Sequence, residues 1–96
     1  MNVQPEGPVE IELCRIIDEL KDLLLKKHRD YGTKNLDEFG SFGIFIRVTD
    51  KRNRLANLIK RPDGEQSGEV GESLEDTWLD IAGYAIQAVR YTRKGE

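Results

Sequence analysis

The segment that most constrains the fold is residues 71–93, which is predicted to form one helix with a polar side and an apolar side. At about 100° per residue, a narrow arc of this helix holds three carboxylates, Glu72, Asp76 and Asp80. The opposite side holds the apolar positions Leu74, Trp78, Ile81, Ala82, Ala85 and Val89. We therefore predict that this helix packs through one side, with Trp78 in the core, and offers a candidate cation site on the other.

Part of the acidic stripe has an ordinary structural explanation. Ser73 and Asp76 have the spacing of a capping box, and acidic side chains near a helix start are favoured by the helix dipole. This explanation covers Asp76 and extends to Glu72, but Asp80 lies a full turn further on. Asp80 and Asp76, one turn apart and followed by Tyr84, are therefore the more specific signal of a functional site.

The composition indicates one small helical domain spanning residues 1–96. The net charge is −3, and the 15 basic residues are distributed among 18 acidic ones, which argues against a polymeric nucleic acid as partner. The single cysteine, Cys14, has no partner for an internal disulfide, and the sequence shows neither a secretory signal pattern nor an apolar run of membrane length. We expect a soluble protein in a reducing, cytoplasmic setting.

Two further helices are predicted upstream. Residues 1–8 are a flexible lead-in whose last proline can start a helix, and residues 9–28 form an amphipathic helix that Gly32 closes with a positive φ. Residues 42–48 alternate in a way that also suits a strand, but the longer periodicity over residues 44–60 favours a helix that Ser41 can cap.

The region from residue 60 to residue 71 has the turn chemistry of an exposed loop. The predicted fold class is therefore all-α, a small antiparallel bundle of three main helices. Because so small a core buries limited apolar area, we expect a homo-oligomer to complete it.

Basic residues gather at two places. Lys27 belongs to a cluster at the end of the first helix, beside Asp30 and Tyr31, where the helix dipole favours cations; phosphate binding there is the alternative explanation. On the next helix, a polar sector can either receive a phosphate or form a solvated ladder of ion pairs. Its members are Arg47, Asp50, Lys51, Arg54 and Arg61.

Several enzyme classes lack their motifs in this chain. No glycine-rich phosphate loop followed by Lys-Ser/Thr, paired-cysteine zinc motif or serine elbow is present. The remaining combination of helix-borne carboxylates and basic residues suits Mg²⁺ that bridges to phosphate oxygens.

Three ordered motifs carry a family resemblance. They are KKHRDYG at 26–32, GIFIRVTDKRNRLANL at 43–58 and ESLEDTWLDIAGYA at 72–85. Together they resemble the nucleotide-modification-associated domain proteins of phages and bacteria, and this implies a small all-helical protein that binds or acts on free nucleotides. A looser resemblance is to the all-α nucleoside triphosphate pyrophosphatases of the MazG and dimeric dUTPase type. The chain departs from their pattern because its acids at 72, 76 and 80 are spaced by four.

Three functions follow as hypotheses. In the first, a Mg²⁺-dependent hydrolase acts on nucleoside phosphates, with the metal held by Glu72, Asp76 and Asp80 and a proton accepted by Asp30 or Asp50. Its substrate would be bound by Arg47, Lys51, Arg54, Lys27, Tyr31 and Tyr84. In the second, the same basic and aromatic residues bind or sequester a nucleotide or cyclic nucleotide without a metal. In the third, the chain is a structural helical oligomer whose acidic stripe is simply solvated.

Overall fold

The computed structural model describes residues 2–60 and 68–95, and for residues 68–72 it describes the backbone only. The described residues form three helices: α1 (Gly7–Tyr31), α2 (Lys34–Ile59) and α3 (Gly68–Arg93), with no strand among them. This confirms the all-α prediction. It also settles residues 42–48, which are helical as the longer periodicity indicated.

The chain divides into two compact units, residues 1–32 and residues 33–96. The first unit contains α1, which has Pro8 in its first turn as expected. Gly32 closes α1 with a φ of 69°, and its N–H donates to the His28 carbonyl over 2.7 Å. Along α1 the apolar stripe is unevenly covered, because Leu20 is buried whereas Ile17 is 62% exposed.

In the second unit, α2 begins earlier than predicted and is bent by a glycine. Gly40 has φ 55° and ψ −139°, a conformation that only glycine adopts readily, and the helix resumes beyond it. Ser41 therefore lies inside α2 and is not its N-cap. A Cβ on Gly43 would lie 2.7 Å from the Cβ of Phe39, so a second glycine is required where Phe39 packs beside the bend.

The helices α2 and α3 pack against each other in antiparallel fashion. Asp37 near the start of α2 contacts Tyr91 near the end of α3, and Lys51 further along α2 pairs with Asp80, which lies earlier on α3. The apolar core lies nearer the connecting segment and consists of Leu55, Leu58 and Leu74, with Ile81 packed against it.

Both helices meet through positions spaced alternately by three and four residues, as in coiled-coil-like packing. On α2 these buried or half-buried positions are Ile44, Val48, Lys51, Leu55 and Leu58. On α3 they are Leu74, Thr77, Ile81, Tyr84, Ala88 and Tyr91. The contact row of each helix is therefore apolar with polar substitutions at Lys51 and Thr77.

The predicted burial of Trp78 is wrong. Trp78 is 56% exposed, whereas Thr77 beside it is 2% exposed. The reason is a phase error: the row that faces α2 passes through Thr77, and Trp78 lies about 100° further around the helix. Burial of Thr77 is compatible with its hydroxyl because this group donates to the Ser73 carbonyl over 2.6 Å.

The start of α3 also differs from the prediction. The helix begins at Gly68, within the segment that was expected to be a loop, so Ser73 is inside the helix rather than at its cap. Two acidic residues, Glu69 and Glu72, belong to the first five residues of α3. Acids at this end favour a helix through its dipole, and this accounts for the longer helix.

Candidate functional site

The predicted site residues fall on all three helices, and contacts between α2 and α3 join four of them. Lys27, Asp30 and Tyr31 belong to α1 in the first unit, where Lys26 donates to Asp30 over 3.1 Å. The remaining predicted residues belong to α2 and α3, except that the side chain of Glu72 lies outside the described part of the chain. Four of them come together across the two helices and form what we call the polar seam. It consists of Arg47, Lys51, Asp80 and Tyr84.

The centre of the polar seam is an ion pair between the helices. The Lys51 Nζ lies 3.0 Å from the Asp80 Oδ2, and the two side chains are 32% and 26% exposed. The pair is thus partly shielded from water, at a position in the contact row that would otherwise take an apolar side chain. The sequence had suggested Asp50 on the same helix as a partner for the basic residues, but Lys51 reaches across to α3.

One turn further along, an arginine lies over an aromatic ring. The Arg47 guanidinium carbon is 6.0 Å from the centre of the Tyr84 ring, at the outer limit of a cation–π contact. Tyr84 is half-buried and Arg47 is exposed, so the guanidinium faces water on its other side. The Lys51–Asp80 and Arg47–Tyr84 contacts are alike, because in each a cation on α2 contacts an electron-rich group on α3.

Three other predicted residues lie beside the seam and are exposed. Arg54 follows Lys51 by one turn on α2, and Asp76 precedes Asp80 by one turn on α3. Asp50 is also exposed but lies about 100° around α2 from Lys51. Arg54 and Asp76 therefore extend the seam into solvent, while Asp50 does not belong to it.

The described residues supply fewer metal donors than the sequence suggested. Asp76 is exposed, Asp80 already pairs with the Lys51 ammonium, and no group of three His, Cys, Asp or Glu side chains within the described ranges could hold a metal. Mg²⁺ usually takes one or two protein carboxylates together with substrate phosphates. The described donors alone do not form the predicted three-carboxylate site.

A second polar contact between α2 and α3 was missed at the sequence level. The Tyr91 hydroxyl donates to Asp37, whose other oxygen accepts from the Thr33 hydroxyl over 3.0 Å. Tyr91 is 1% exposed, and the cationic groups of Arg90 and Lys94 lie 5.6 and 5.9 Å from its ring centre.

These surroundings change the acidity of Asp37. The hydrogen bond from Tyr91, and then that from Thr33, lower the pKa of Asp37 below its usual value of 3.8. Desolvation opposes this shift, and the charges of Lys94 and Arg90 add smaller lowering effects. The available sequence signal was the spacing of Tyr91, which lies seven residues after Tyr84 and continues the contact row of α3.

Comparison with known proteins adds no relative. No family model, curated protein or solved structure matches the chain. None of the described helices is long and apolar enough to cross a membrane. The fold and the site together therefore define a class only: a small all-α protein in which an antiparallel pair of helices brings basic, acidic and aromatic side chains together in one polar seam.

Proposed function

We propose that the polar seam binds the phosphate groups of a free nucleotide. The observation that carries this proposal is the packing of α2 on α3, which collects Arg47, Lys51 and Tyr84 on one side of the helix pair. An arginine and a lysine suit the phosphate groups of a nucleotide, and an aromatic ring within a few turns of them suits its base. The resemblance of residues 43–58 and 72–85 to nucleotide-modification-associated domains also supports a nucleotide as the ligand.

Each residue has a separate role in this proposal. Arg47 offers a planar fork for two phosphate oxygens, and Lys51 offers a compact point charge. Tyr84 provides a ring on which a base can stack once Arg47 turns toward the phosphate. Arg54, which is exposed one turn beyond Lys51, extends the basic row toward a further phosphate.

The Lys51–Asp80 ion pair sets the energetic condition for binding. A phosphate that reaches Lys51 competes with the Asp80 carboxylate, 3.0 Å away, for the same ammonium. Without a metal, Asp80 therefore opposes binding both by competition and by like-charge repulsion. With Mg²⁺ between Asp80 and the phosphate, the same carboxylate would favour binding.

The effect of the Asp80 charge on nucleotide affinity therefore distinguishes metal-free binding from metal-dependent hydrolysis. Replacement of Asp80 by Asn removes the charge and keeps the shape of the side chain. If the protein binds or sequesters nucleotides without a metal, Asp80→Asn binds them equally well or more tightly. If Mg²⁺ is part of the site, Asp80→Asn loses affinity and the loss appears only when Mg²⁺ is present.

The test is titration calorimetry with the common ribonucleoside and deoxyribonucleoside triphosphates and a cyclic dinucleotide, each with Mg²⁺ and with EDTA. We expect Arg47→Gln and Lys51→Gln to weaken binding about tenfold or more, which corresponds to about 1.4 kcal/mol. Arg52→Gln is the matched control, because it removes the same charge from α2 at an exposed position outside the seam.

Three outcomes decide whether the protein binds nucleotides and whether it also hydrolyses them. Absence of any heat of binding and of any nucleotide-induced thermal shift across the panel would reject nucleotide binding and favour a structural helical oligomer. Release of phosphate or pyrophosphate that requires Mg²⁺ and is lost in Asp80→Asn would show that the seam also supports hydrolysis. EDTA-insensitive binding without release would assign the protein to sequestration.

A further inference from the structure

The helix pair has a second surface of a different kind, which we call the apolar face. It consists of six large apolar side chains, 44–68% exposed, that lie along one side of α2 and α3. On α2 these are Phe42, Phe45 and Ile59, and on α3 they are Trp78, Ile86 and Val89. Phe42 and Phe45 are 68% and 66% exposed, which is unusual for neighbouring aromatic residues in a helix that also contributes to a core.

Helix geometry places both halves of the apolar face on the same side of the pair. On each helix the row that carries most of the exposed apolar residues lies about 100° around from the row that contacts the other helix, in the same rotational sense when viewed from the helix N-terminus, and Ile86 lies at the outer edge of the face. Because α2 and α3 run antiparallel, equal rotations in this sense turn both stripes to one side. The opposite rotation leads to Arg47 on α2 and Asp80 on α3, so the polar seam lies on the other side.

The spacing of the apolar face is that of a packing surface. On α2 the positions 42, 45, 49, 52, 56 and 59 alternate by three and four residues, and on α3 the positions 75, 78, 82, 85 and 89 do the same. Such rows are typical of a helix that has a second neighbour in a bundle. Each helix therefore carries one row that packs between α2 and α3 and a second row that stays largely exposed among the described residues.

The exposed area is large enough for a stable interface. From the exposed fractions and typical areas of such side chains, the six residues present roughly 650 Å² of apolar surface, above the usual largest patch of a monomer and close to the ~800 Å² per partner of a standard interface. An uncovered patch of this size on a small chain favours association.

We propose that the apolar face is covered by the same face of a second copy of this chain, so that two helix pairs form a four-helix dimer. The face is complementary to itself in shape. A twofold axis parallel to the helices lays α2 of one copy antiparallel on α3 of the other and keeps the register that the Lys51–Asp80 pair sets within the chain. In this register Phe45 lies closest to the partner's Ala85, and Trp78 lies between the partner's Arg52 and the small side chain of the partner's Ala56. Large side chains thus meet small ones in both halves of the contact.

The charges of the two rows select this arrangement. Between residues 42 and 59 the row on α2 contains one charged residue, Arg52, and between residues 75 and 89 the row on α3 contains one, Glu75. With α2 on α3 of the partner, Arg52 lies within about one turn of the partner's Glu75. If α2 instead lay on α2 of the partner, the two copies of Arg52 would face each other near the centre of the interface.

The dimer leaves the polar seams on its two outer sides, each open to solvent. Dimerisation therefore does not depend on nucleotide binding, and failure of either proposal leaves the other standing.

Sedimentation velocity on the full chain tests the proposal directly. We expect a dimer of 11.0 kDa chains, which Phe45→Glu or Trp78→Glu converts to a monomer without loss of helicity in circular dichroism. The matched control is Ile46→Glu, because Ile46 is exposed and adjacent to Phe45 but about 100° around α2, away from the face. This control should remain a dimer.

A charge exchange tests the arrangement. Arg52→Glu and Glu75→Arg should each raise the dimer dissociation constant several-fold, and the double variant should restore it. A monomer at all concentrations would overturn the proposal. A dimer that persists in both Phe45→Glu and Trp78→Glu would also overturn the proposal, because the interface would then lie elsewhere. If Ile17→Glu dissociated that dimer, the interface would include α1.

Discussion

The two sides of the α2–α3 pair are built from the same helices but use their side chains in different ways. On the polar seam each charged or aromatic group has a counterpart within the chain, as in the Lys51–Asp80 pair. On the apolar face, large side chains such as Trp78 remain more than half exposed. Charged groups that are paired within the chain can exchange these partners for a small charged ligand. An exposed apolar face is instead typical of a surface that binds another protein.

The largest effect should come from the core that both sides share. Leu55 is 6% exposed and packs with Leu58 and Leu74, so Leu55→Ala should lower the free energy of unfolding by about 2–4 kcal/mol in urea denaturation. The comparison variant Ile59→Ala removes a similar volume from the apolar face, where the side chain is 59% exposed.

The two variants should differ in their dependence on concentration. Ile59→Ala should cost less than about 1 kcal/mol in dilute protein and more as the protein concentration rises, because its cost then includes the dimer contact. Leu55→Ala should cost the same at both concentrations to a first approximation. Equal losses for the two variants in dilute protein would contradict the assignment of Leu55 to the core and Ile59 to the surface.

The next largest effect should come from the glycines at the bend of α2. Gly40→Ala places a Cβ on a residue with φ 55°, at a cost of about 1–3 kcal/mol. Gly43→Ala introduces a Cβ 2.7 Å from that of Phe39, and the resulting displacement should outweigh the gain in helix propensity of about 1 kcal/mol.

A matched pair of measurements separates the cost of the positive φ at Gly40 from the cost of the close contact at Gly43. Phe39→Gly removes the Cβ that makes the 2.7 Å contact. Measured against Phe39→Gly alone, Gly43→Ala should therefore become neutral or stabilising in the double variant, while Gly40→Ala remains costly. Thermal unfolding followed by circular dichroism is sufficient for this comparison. If Gly43→Ala destabilises the protein equally with and without Phe39, the close approach is not the cause.

Much of the fold could be predicted from the sequence because helix periodicity is a local property. The existence of α1, its closure at Gly32 and the helical state of residues 42–48 followed from spacing and from the chemistry of single residues, although α1 extends from Gly7 to Tyr31 rather than from residue 9 to residue 28. The pairing of basic and acidic helices was predicted in part, since Lys51 and Asp80 were both singled out. Their direct contact depends on the relative phase of two helices, which spacing within one helix does not determine.

The wrong prediction for Trp78 and the missed contact between Asp37 and Tyr91 have the same origin, which is the unknown relative phase of the two helices. Trp78 was assigned to the core because the apolar arc of α3 is wide enough to serve two neighbours, and the sequence does not reveal which part of it meets α2. The contact between Asp37 and Tyr91 joins residues 54 positions apart, and neither belongs to a recognisable motif. For Trp78 the signal was the second row on α3, which becomes visible only when the other row has been assigned to a contact. For Tyr91 the signal was its place at the end of that contact row.

A smaller effect is expected from the central ion pair of the polar seam. A double-mutant cycle with Lys51→Gln and Asp80→Asn should give a coupling energy of about 0.5–1 kcal/mol, because the two groups are still about one third exposed. The Lys26–Asp30 pair on α1 is the control, with its side chains 75% and 48% exposed, and should give less. High salt should reduce the coupling energy of the more exposed Lys26–Asp30 pair more than that of the Lys51–Asp80 pair. Equal couplings would show that the packing of α2 on α3 does not shield the seam.

The smallest effect should be a pH dependence at Asp37, the other polar contact between α2 and α3. Its pKa is lowered in the folded protein, mainly by the hydrogen bond from Tyr91, so the unfolded chain binds a proton at a higher pH than the folded one. The resulting stabilisation is therefore present above the usual value of 3.8 and is lost as the pH falls through the lower folded value. Urea denaturation from about pH 6 to about pH 3 should show the free energy of unfolding of the wild type converging on that of Asp37→Asn over this window.

Tyr91→Phe should narrow the difference in this free energy between wild type and Asp37→Asn at the higher pH, because it removes the main donor to the carboxylate. Glu38→Gln, one residue further along α2, should show no such convergence, and a difference between wild type and Asp37→Asn that persists at the lowest pH would contradict the role of the ionised carboxylate. Acid should therefore loosen the polar contacts between α2 and α3, whereas the apolar face between residues 42 and 59 carries no carboxylate and should respond to acid only through the partner's Glu75 beside Arg52.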